Sequence, residues 1–290
     1  MHTKHQIYEL LSSAGIRPNK RFGQHFLIDL NLMRLLIDAA DIQKNDVVLE
    51  VGPGTGSLTE AIAEKAGFCV AVEIDAVLAN LVKTNLADRT NVEIIAADVL
   101  KNKFEINPAV TDALDRARSA HNGRLLLVAN LPYIAATPLI INLIIGPTQA
   151  DAMFVTVQKE VADRMTANPG SKDYGILTIL LAATGDIKHI RTLRPTVFWP
   201  QPQVNSAMVS YIRDAEKVKE VKNIEMLSRV AGSLLQHRRK MLKSCCKLMT
   251  GMLEGIDWLD IFSKCDIDPN LRPDHLTPEQ FIAIANLISG

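Results

Sequence analysis

A short apolar run, residues 47–51 (VVLEV), leads directly into a loop with glycines at alternate positions, Gly52, Gly54 and Gly56. A β-branched run of this length is typical of a buried parallel strand. Glycines at such a turn let the backbone bend tightly and approach a bound ligand without a clash from Cβ. The residues that follow, 57–66, have helical periodicity. The segment therefore predicts a strand, a ligand-binding loop and a helix.

The same alternation continues along the chain. Further strands are predicted at 68–73, 92–96, 124–129 and 152–157, with helices at 76–87 and 138–145. Strands that alternate with helices in this way indicate a doubly wound parallel sheet, so we predict an α/β fold of Rossmann-like type. Residues 187–192 and 207–212 predict an antiparallel hairpin that closes the sheet. The polar stretch 107–122 is expected to be an exposed helix or loop before the fourth strand.

The chain of 290 residues is long enough for one large domain and a small one. From residue 214 to the end the pattern is helical only. We predict a first domain at 1–213, in which residues 1–30 cover the ligand site, and a small all-helical domain at 214–290. The longest apolar runs are shorter than a membrane span. The four cysteines form no C-x-x-C pair, which favours reduced thiols in a cytoplasmic protein, and no metal site is predicted.

Two carboxylates follow the glycine loop at the ends of the next two predicted strands. Glu73 lies about twenty residues after the loop, where an acidic side chain can bind both ribose hydroxyls. Asp98 ends the next strand and can accept a hydrogen bond from an adenine amino group. The third glycine comes one position earlier than in a dehydrogenase fingerprint. The set favours S-adenosylmethionine, with a dinucleotide as the alternative.

The motif Asn130-Leu131-Pro132-Tyr133 follows the fourth predicted strand, at the edge of the sheet where such folds bind ligands. An adenine amine is a poor nucleophile because its lone pair is delocalised into the ring. Acceptors such as the Asn130 side-chain oxygen and the Leu131 carbonyl can hold both amine hydrogens, and Tyr133 can stack on the base. Phe198, in a proline-rich loop, is a candidate for the opposite face of a flipped base. The alternative for the Asn130–Tyr133 motif is a capped turn before a helix. The alternative for Phe198 is a hydrophobic plug.

Local basic charge accompanies a net charge of zero. Residues 214–247 carry nine Lys and Arg against four Asp and Glu, and a second basic spot lies at 17–21. A solvated surface is one interpretation, and contact with RNA phosphates is the other. The candidate RNA-binding residues are Arg17, Lys20, Arg21, Arg238, Arg239, Lys240 and Lys243.

Five motifs in order resemble the small-subunit rRNA adenine dimethyltransferases of the KsgA/RsmA type, over nearly the whole chain. They are 20–29 (KRFGQHFLID), 130–133 (NLPY), 198–207 (FWPQPQVNSA), 236–240 (QHRRK) and 271–281 (LRPDHLTPEQF). This chain differs from the family pattern at four places: His25 stands for Asn, 134–137 (IAAT) for N-I-S/A-T, Gln203 for Lys and Asn205 for Asp.

The resemblance implies a class I methyltransferase sheet and transfer of four methyl groups from S-adenosylmethionine to two adjacent adenosines in a hairpin. It also implies a role in maturation of the small subunit, on rRNA in immature subunits. We expect a monomer, since nothing in the sequence suggests an obligate dimer. The cofactor contacts it implies, together with neighbouring residues of the same loops, are His25, Leu27, Gly52, Gly54, Glu73, Ile74, Asp98, Val99 and Asn130. The base contacts would be Asn130, Leu131, Tyr133 and Phe198, with Pro132 shaping the turn.

Three alternatives remain open at this point. A large-subunit rRNA adenine methylase of the antibiotic-resistance kind shares the catalytic motifs, but the ending at 271–281 argues against it. An assembly factor that binds immature small subunits without methylating them is disfavoured by the intact Glu73, Asp98 and Asn130. A DNA adenine methylase is disfavoured by the basic helical domain.

Overall fold

The computed structural model describes residues 1–18 and 23–290. The strands are β1 (Phe26–Leu27), β2 (Val47–Val51), β3 (Phe68–Glu73), β4 (Val92–Ala96), β5 (Leu100–Asn102), β6 (Glu105–Ile106), β7 (Leu125–Asn130), β8 (Ala152–Gln158), β9 (Gly185–Leu193), β10 (Phe198–Trp199) and β11 (Ser206–Arg213). The helices are α1 (Lys4–Ser13), α2 (Leu30–Ala40), α3 (Ser57–Lys65), α4 (Ala76–Asn85), α5 (Pro108–Ala120), α6 (Ala136–Ile145), α7 (Lys159–Met165), α8 (Ile176–Thr184), α9 (Ala215–Lys219), α10 (Ile224–Gln236), α11 (Leu242–Cys245), α12 (Trp258–Lys264) and α13 (Pro278–Ser289).

A seven-stranded sheet has the order β4-β3-β2-β7-β8-β11-β9. Strands β4, β3, β2, β7 and β8 are parallel, and β11 runs antiparallel to β8. The chain moves outward from β2 to β3 and β4, then returns to place β7 on the other side of β2. This reversal of strand order opens a crevice beyond the carboxyl ends of β2 and β7, the place where open α/β sheets bind ligands. The predicted Rossmann-like sheet is confirmed.

The core forms because β2 and its neighbours are apolar on both faces. All five residues of β2 are buried, as expected of a parallel strand with helices on either side. Helix α2 covers one face with residues at helical spacing, including Leu32, Leu36 and Ile37, and its first turn is capped by the Asp29 carboxylate.

Helix α5 confirms a helix within 107–122 but corrects the expectation that this segment is exposed, because one of its faces is buried. Asn107 caps it and Pro108 occupies its first turn, a combination that favours helix initiation. Its buried residues are Val110, Ala113, Leu114 and Ala117. Their spacing of three and four residues forms one apolar face, which packs against the sheet beside β3. Short residues such as Ala113 made this face difficult to see in the sequence.

Two pairs of short antiparallel strands form small sheets separate from the main sheet. Strand β1 pairs with β10, so that Leu27 faces Phe198. Strands β5 and β6 form a hairpin between β4 and α5. Near the amino terminus, the His2 backbone N–H donates to the Ser57 hydroxyl at 2.6 Å, at the start of α3.

The chain forms two compact units. The first comprises Met1–Ala162 and Lys188–Ile212, and the second comprises Asp163–Ile187 and Arg213–Gly290. The second unit therefore includes a segment from the middle of the chain, which the sequence analysis assigned to the first domain. The reason is α8, which is apolar around most of its circumference and packs against α10 and α13. Within the described residues, no helix is both long and apolar enough to span a membrane.

Candidate active site

The glycine loop and the Asn130–Tyr133 motif meet at the reversal of strand order. Gly52 has φ of +75°, and a Cβ placed on it would lie 3.1 Å from Pro132 Cγ. Both the left-handed backbone and the close approach require glycine. The motif expected to hold the methyl acceptor thus lies directly against the loop expected to hold the methyl donor.

Gly54 links the loop to two other elements. It has φ of +61°, and an added Cβ would lie 2.8 Å from the Phe26 ring in β1. Its backbone N–H donates to the Glu73 carboxylate at 3.2 Å. The short strand β1 therefore covers the loop from one side, while the end of β3 holds it from the other.

Glu73 is buried, and its second carboxylate oxygen accepts from the Asp75 backbone N–H at 3.1 Å. Burial raises the pKa of Glu73 above its usual range, although these backbone hydrogen bonds act in the opposite direction. The carboxylate is thus held in place with little contact to water, at the position predicted for a ribose.

Glu50 precedes the first glycine and is 1% exposed. Its Oε2 has no hydrogen-bond partner among the described residues. Burial first, and then the charge of Glu73, raise the pKa of Glu50 to about 8. A buried carboxyl group without a full set of partners is costly, which is why such a group beside a cavity suits a ligand that can donate to it.

Asn130 ends β7, and its side-chain Nδ2 donates to the backbone carbonyl of His25 at 2.9 Å. This bond sets the orientation of the amide and commits the nitrogen, which leaves Oδ1 as the acceptor for another group. The Leu131 backbone N–H donates to the Thr156 carbonyl at 3.0 Å, which fixes the start of the turn.

The His25 ring is held by its Nδ1, which donates to the Pro200 carbonyl at 2.7 Å. It lies against the Tyr133 ring, with centroids 5.6 Å apart and planes tilted by 33°. The Tyr133 hydroxyl hydrogen-bonds the Ser206 hydroxyl at 2.9 Å, and burial raises the pKa of Tyr133. Tyr133 is therefore a neutral ring in a set orientation.

Two neighbouring cavities occupy this edge of the sheet, with volumes of about 90 Å³ and about 310 Å³. They share the lining residues Gly52, Glu73, Ile74 and Pro132. The smaller is also lined by His25, Leu27, Gly54, Asn130, Leu131 and Tyr133. The larger is lined by Asp98 and Val99 among others. The fold thus brings the predicted cofactor residues to one place, together with those of the 130–133 motif.

The structure adds lining residues that the sequence did not indicate. Ile7 of α1, Met33 of α2 and Leu78 of α4 contribute to the smaller cavity. Their helices lie far apart in the chain, and nothing in the local sequence distinguishes them from ordinary core residues. The sequence shows Glu50 as an acidic residue before the glycines. Only the structure shows that it is buried and that one of its oxygens lacks a partner among the described residues.

The position of Phe198 corrects the expectation that its ring stacks on a flipped base. Its side chain is 1% exposed and packs among core residues that include Leu27 and Met208. Pairing of β10 with β1 turns this ring inward, so it is not placed to stack on a base in this arrangement. The alternative of a hydrophobic plug describes it better. Trp199 faces the other way and stacks on Phe26, with centroids 6.3 Å apart.

The predicted RNA-binding residues fall into three groups. Arg17, Arg239, Lys240 and Lys243 are exposed, whereas Lys20 and Arg21 lie outside the described residues. The position of Arg238 corrects the expectation that it binds RNA. Its guanidinium donates to the carbonyls of Ser171, Lys172 and Tyr174 and to the Asp274 carboxylate. These bonds hold the loop before α8 inside the second unit, so Arg238 is committed to structure rather than to phosphate.

No group of three or more His, Cys, Asp or Glu side chains suited to a metal occurs in the described part of the chain. The four cysteines are free.

The sheet order, the crevice and the glycine loop together define the Rossmann-like fold of class I methyltransferases. Solved structures share this fold: a dimethyladenosine transferase from Plasmodium falciparum superposes with a TM-score of 0.69 at 23% identity, covering 88% of this chain and 94% of that one. The 23S rRNA methyltransferase ErmE superposes with a TM-score of 0.65 at 20% identity, covering 91% of this chain and all of the other.

Residues 15–289 match the ribosomal RNA adenine dimethylase family, and the chain belongs to that family. Two relatives are named ribosomal RNA small subunit methyltransferase A. The protein from Geobacillus sp. is 34% identical and covers 97% of this chain and 94% of its own length. The protein from Alkaliphilus metalliredigens is 35% identical and covers 97% and 95%. The chain is a methyltransferase, and its family implies S-adenosylmethionine as the methyl donor.

Proposed function

We propose that this protein dimethylates the exocyclic amine of two adjacent adenosines in a hairpin near the 3′ end of small-subunit rRNA. The proposal extends the activity of its family and the names of its relatives to this chain. The substrate would be rRNA in immature small subunits, and the protein would act as a cytoplasmic monomer during their maturation.

The crevice fits S-adenosylmethionine. Gly52 and Gly54 leave space that side chains would fill, and Glu73 stands at the end of β3 to accept from the ribose hydroxyls. Asp98, Val99 and Ile74 line the larger cavity and suit the adenine. His25, Leu27 and Asn130 line the smaller one at the methionine end. The unpaired oxygen of buried Glu50 suits a group that donates hydrogen bonds, such as the ammonium of the methionine part.

The orientation of Asn130 is the observation that carries the proposal. Because its Nδ2 is committed to the His25 carbonyl, Oδ1 is left to accept a hydrogen bond from the adenine amine. The Leu131 carbonyl is the second acceptor, and Pro132 holds the turn against Gly52. Two acceptors on the two amine hydrogens favour a tetrahedral nitrogen, whose lone pair is no longer delocalised into the ring and can attack an electrophile.

S-adenosylmethionine, when bound, supplies a sulfonium methyl group that a neutral amine can accept. The residues of this chain supply position and electrostatics, which account for most of the rate in such transfers. Tyr133 offers its ring to the base, held by Ser206 and His25. A strong general base is not needed, since the proton can leave to water after the cationic product has formed.

The exposed cations of the second unit suit the RNA backbone. Arg239, Lys240 and Lys243 follow α10 closely, and the Lys243 ammonium also donates to Asn270 at 2.7 Å. We propose that residues 214–290 serve as the RNA-binding domain, with these three side chains and Arg17 at phosphates.

A methyl-transfer assay with three acceptors tests the proposal. Purified protein and labelled S-adenosylmethionine are given undermethylated small subunits, undermethylated large-subunit RNA, or DNA, and the product is identified by mass spectrometry. Dimethyladenosine from small subunits alone is expected. Label in large-subunit RNA would assign the chain to the resistance type. Binding to small subunits without any transfer would make it an assembly factor instead.

A further inference from the structure

The two most exposed large apolar side chains of the described residues are Ile134 and Phe104, at 78% and 77%. The next, Met252, is 66% exposed. Single exposed apolar residues are common on protein surfaces and need no explanation. These two are different because Ile134 lines the larger cavity and Phe104 belongs to the β5–β6 hairpin, whose Leu100 lines the same cavity.

Ile134 directly follows Tyr133, in the loop between β7 and α6. It lines the larger cavity together with Asp98 and Ala135. Its apolar side chain is therefore exposed to water at the rim of the acceptor loop, where a ligand bound at the site can cover it.

Phe104 lies at the turn of the β5–β6 hairpin, whose first residue, Leu100, lines the same cavity. The hairpin is fixed to α6. The buried Asn142 side chain donates through Nδ2 to the Lys103 carbonyl at 3.2 Å and to the Pro138 carbonyl at 2.8 Å. The helix that begins just after the acceptor loop therefore also holds the hairpin that presents Phe104.

Charge accompanies the aromatic ring. The Lys103 ammonium lies 4.7 Å from the centroid of Phe104, whereas Lys101 is paired with Glu105 at 3.0 Å. An exposed ring with a cation beside it fits a nucleotide, since a base stacks on the ring and the phosphate is attracted to the ammonium.

We infer that Phe104 and Ile134 form an apolar rim that holds unpaired RNA nucleotides beside the target adenosine. Phe104 stacks on an unpaired base, with Lys103 near its phosphate, and Ile134 packs against the base next to the one bound by Tyr133. The inference rests on the proposed function, because it takes a single-stranded RNA loop as the substrate.

The test compares variants of the intact protein. They are Phe104→Ala, Phe104→Leu, Phe104→Tyr and Ile134→Asn, with Ile212→Asn as the matched control at an exposed position near the end of β11. The first probe is a fluorescently labelled RNA hairpin with two adjacent adenosines in its loop, titrated by anisotropy. Calorimetry with S-adenosylmethionine and methyl transfer to undermethylated small subunits are measured in parallel.

Loss of one stacked base should weaken RNA binding roughly tenfold in the Ala and Leu variants at Phe104. Phe104→Tyr should bind as the wild type does, because it keeps the ring. Ile134→Asn should weaken RNA binding by a smaller factor. Affinity for S-adenosylmethionine should not change in the Phe104 variants, and Ile212→Asn should match the wild type throughout.

Equal RNA affinity of all variants would contradict the proposed rim. Full RNA affinity of Phe104→Leu would also contradict it, since a leucine has no ring on which a base can stack. Self-association of the wild type that Phe104→Ala abolishes, with RNA binding unchanged, would make the surface a contact between chains. If the wild type transfers no methyl group to any RNA, the proposed function fails, while the anisotropy comparison still decides the rim.

Discussion

The Asn130 side-chain nitrogen donates to the backbone carbonyl of His25 across a distance of 2.9 Å. The bond joins the end of β7 to the segment just before β1, residues that are 105 positions apart. It means that the acceptor geometry of the candidate active site depends on the amino-terminal segment being in place over the crevice.

We therefore expect different outcomes from two substitutions at Asn130. Asn130→Ala removes the acceptor and should lower methyl transfer on the order of 100-fold, by analogy with loss of one active-site hydrogen bond. Asn130→Asp keeps an oxygen but cannot donate to His25, so it should lose a large part of the activity while retaining more than the alanine variant. Thermal unfolding serves as the control and should stay close to wild type. Near-normal turnover in either variant would remove Asn130 from the acceptor role.

Glu73 should determine affinity for the methyl donor. Glu73→Gln preserves shape but weakens the hydrogen bonds that an ionised carboxylate can accept, which are worth about 1.5–3 kcal/mol each. We expect calorimetry to show S-adenosylmethionine binding at least tenfold weaker. Glu64→Gln, at an exposed position on α3, is the matched control. Unchanged affinity of the Glu73→Gln variant would place the ribose elsewhere.

Glu50 should make stability depend on pH. Its pKa is about 8 in the folded protein against an ordinary 4.5. Between these values the folded state keeps a proton that the unfolded state has lost, so unfolding releases a proton and becomes easier as pH rises. The slope for one such group is about 1.4 kcal/mol per pH unit.

Chemical denaturation of the wild type and of Glu50→Gln from pH 5 to 9 measures this effect. All other groups contribute to both proteins, so the difference between the two curves isolates Glu50. We expect the variant to lose less stability than the wild type as pH rises toward 8. Two parallel curves would show that Glu50 is already ionised in the folded protein.

The neighbouring arginines 238 and 239 should behave differently despite their similar sequence setting. Arg238 bonds to three carbonyls and to Asp274, so Arg238→Ala should destabilise the second unit by about 2 kcal/mol. Arg239→Ala, at an exposed position, should change the free energy of unfolding by less than about 0.5 kcal/mol. Denaturation of both variants is the measurement, and equal stabilities would contradict the structural role of Arg238.

RNA affinity should depend on the exposed cations instead. Neutralising Arg239, Lys240 and Lys243 together should weaken binding and reduce the slope of log affinity against log salt by about 0.7–0.9 for each phosphate that these cations neutralise in the wild type. A salt titration of the triple variant and the wild type with the same RNA measures this. Neutralising Lys65, an exposed residue of α3 paired with Asp38, is the control. An unchanged slope would mean that these cations form a solvated surface and do not contact phosphates.

The local sequence was sufficient for features that depend on neighbours in the chain. The run at 47–51, the alternate glycines and the carboxylates at strand ends predicted the sheet and the place of Glu73 and Asp98. This works because a parallel strand must be apolar on both faces and because a tight turn at positive φ needs glycine. The Asn130–Tyr133 motif followed a strand, so its position at the carboxyl edge also came from sequence.

Only the tertiary structure decided the roles that depend on distant partners. Phe198 and Arg238 belong to recognisable motifs, yet pairing of β10 with β1 buries the first, and three carbonyls of the loop before α8 bind the second. The sequence also did not indicate that residues 163–187 group with the carboxyl-terminal helices. Nor did it indicate that Phe104 and Ile134 are exposed. Sequence patterns report which residues prefer to be buried or to turn the chain, whereas packing between segments far apart decides which of them remain free to meet a ligand.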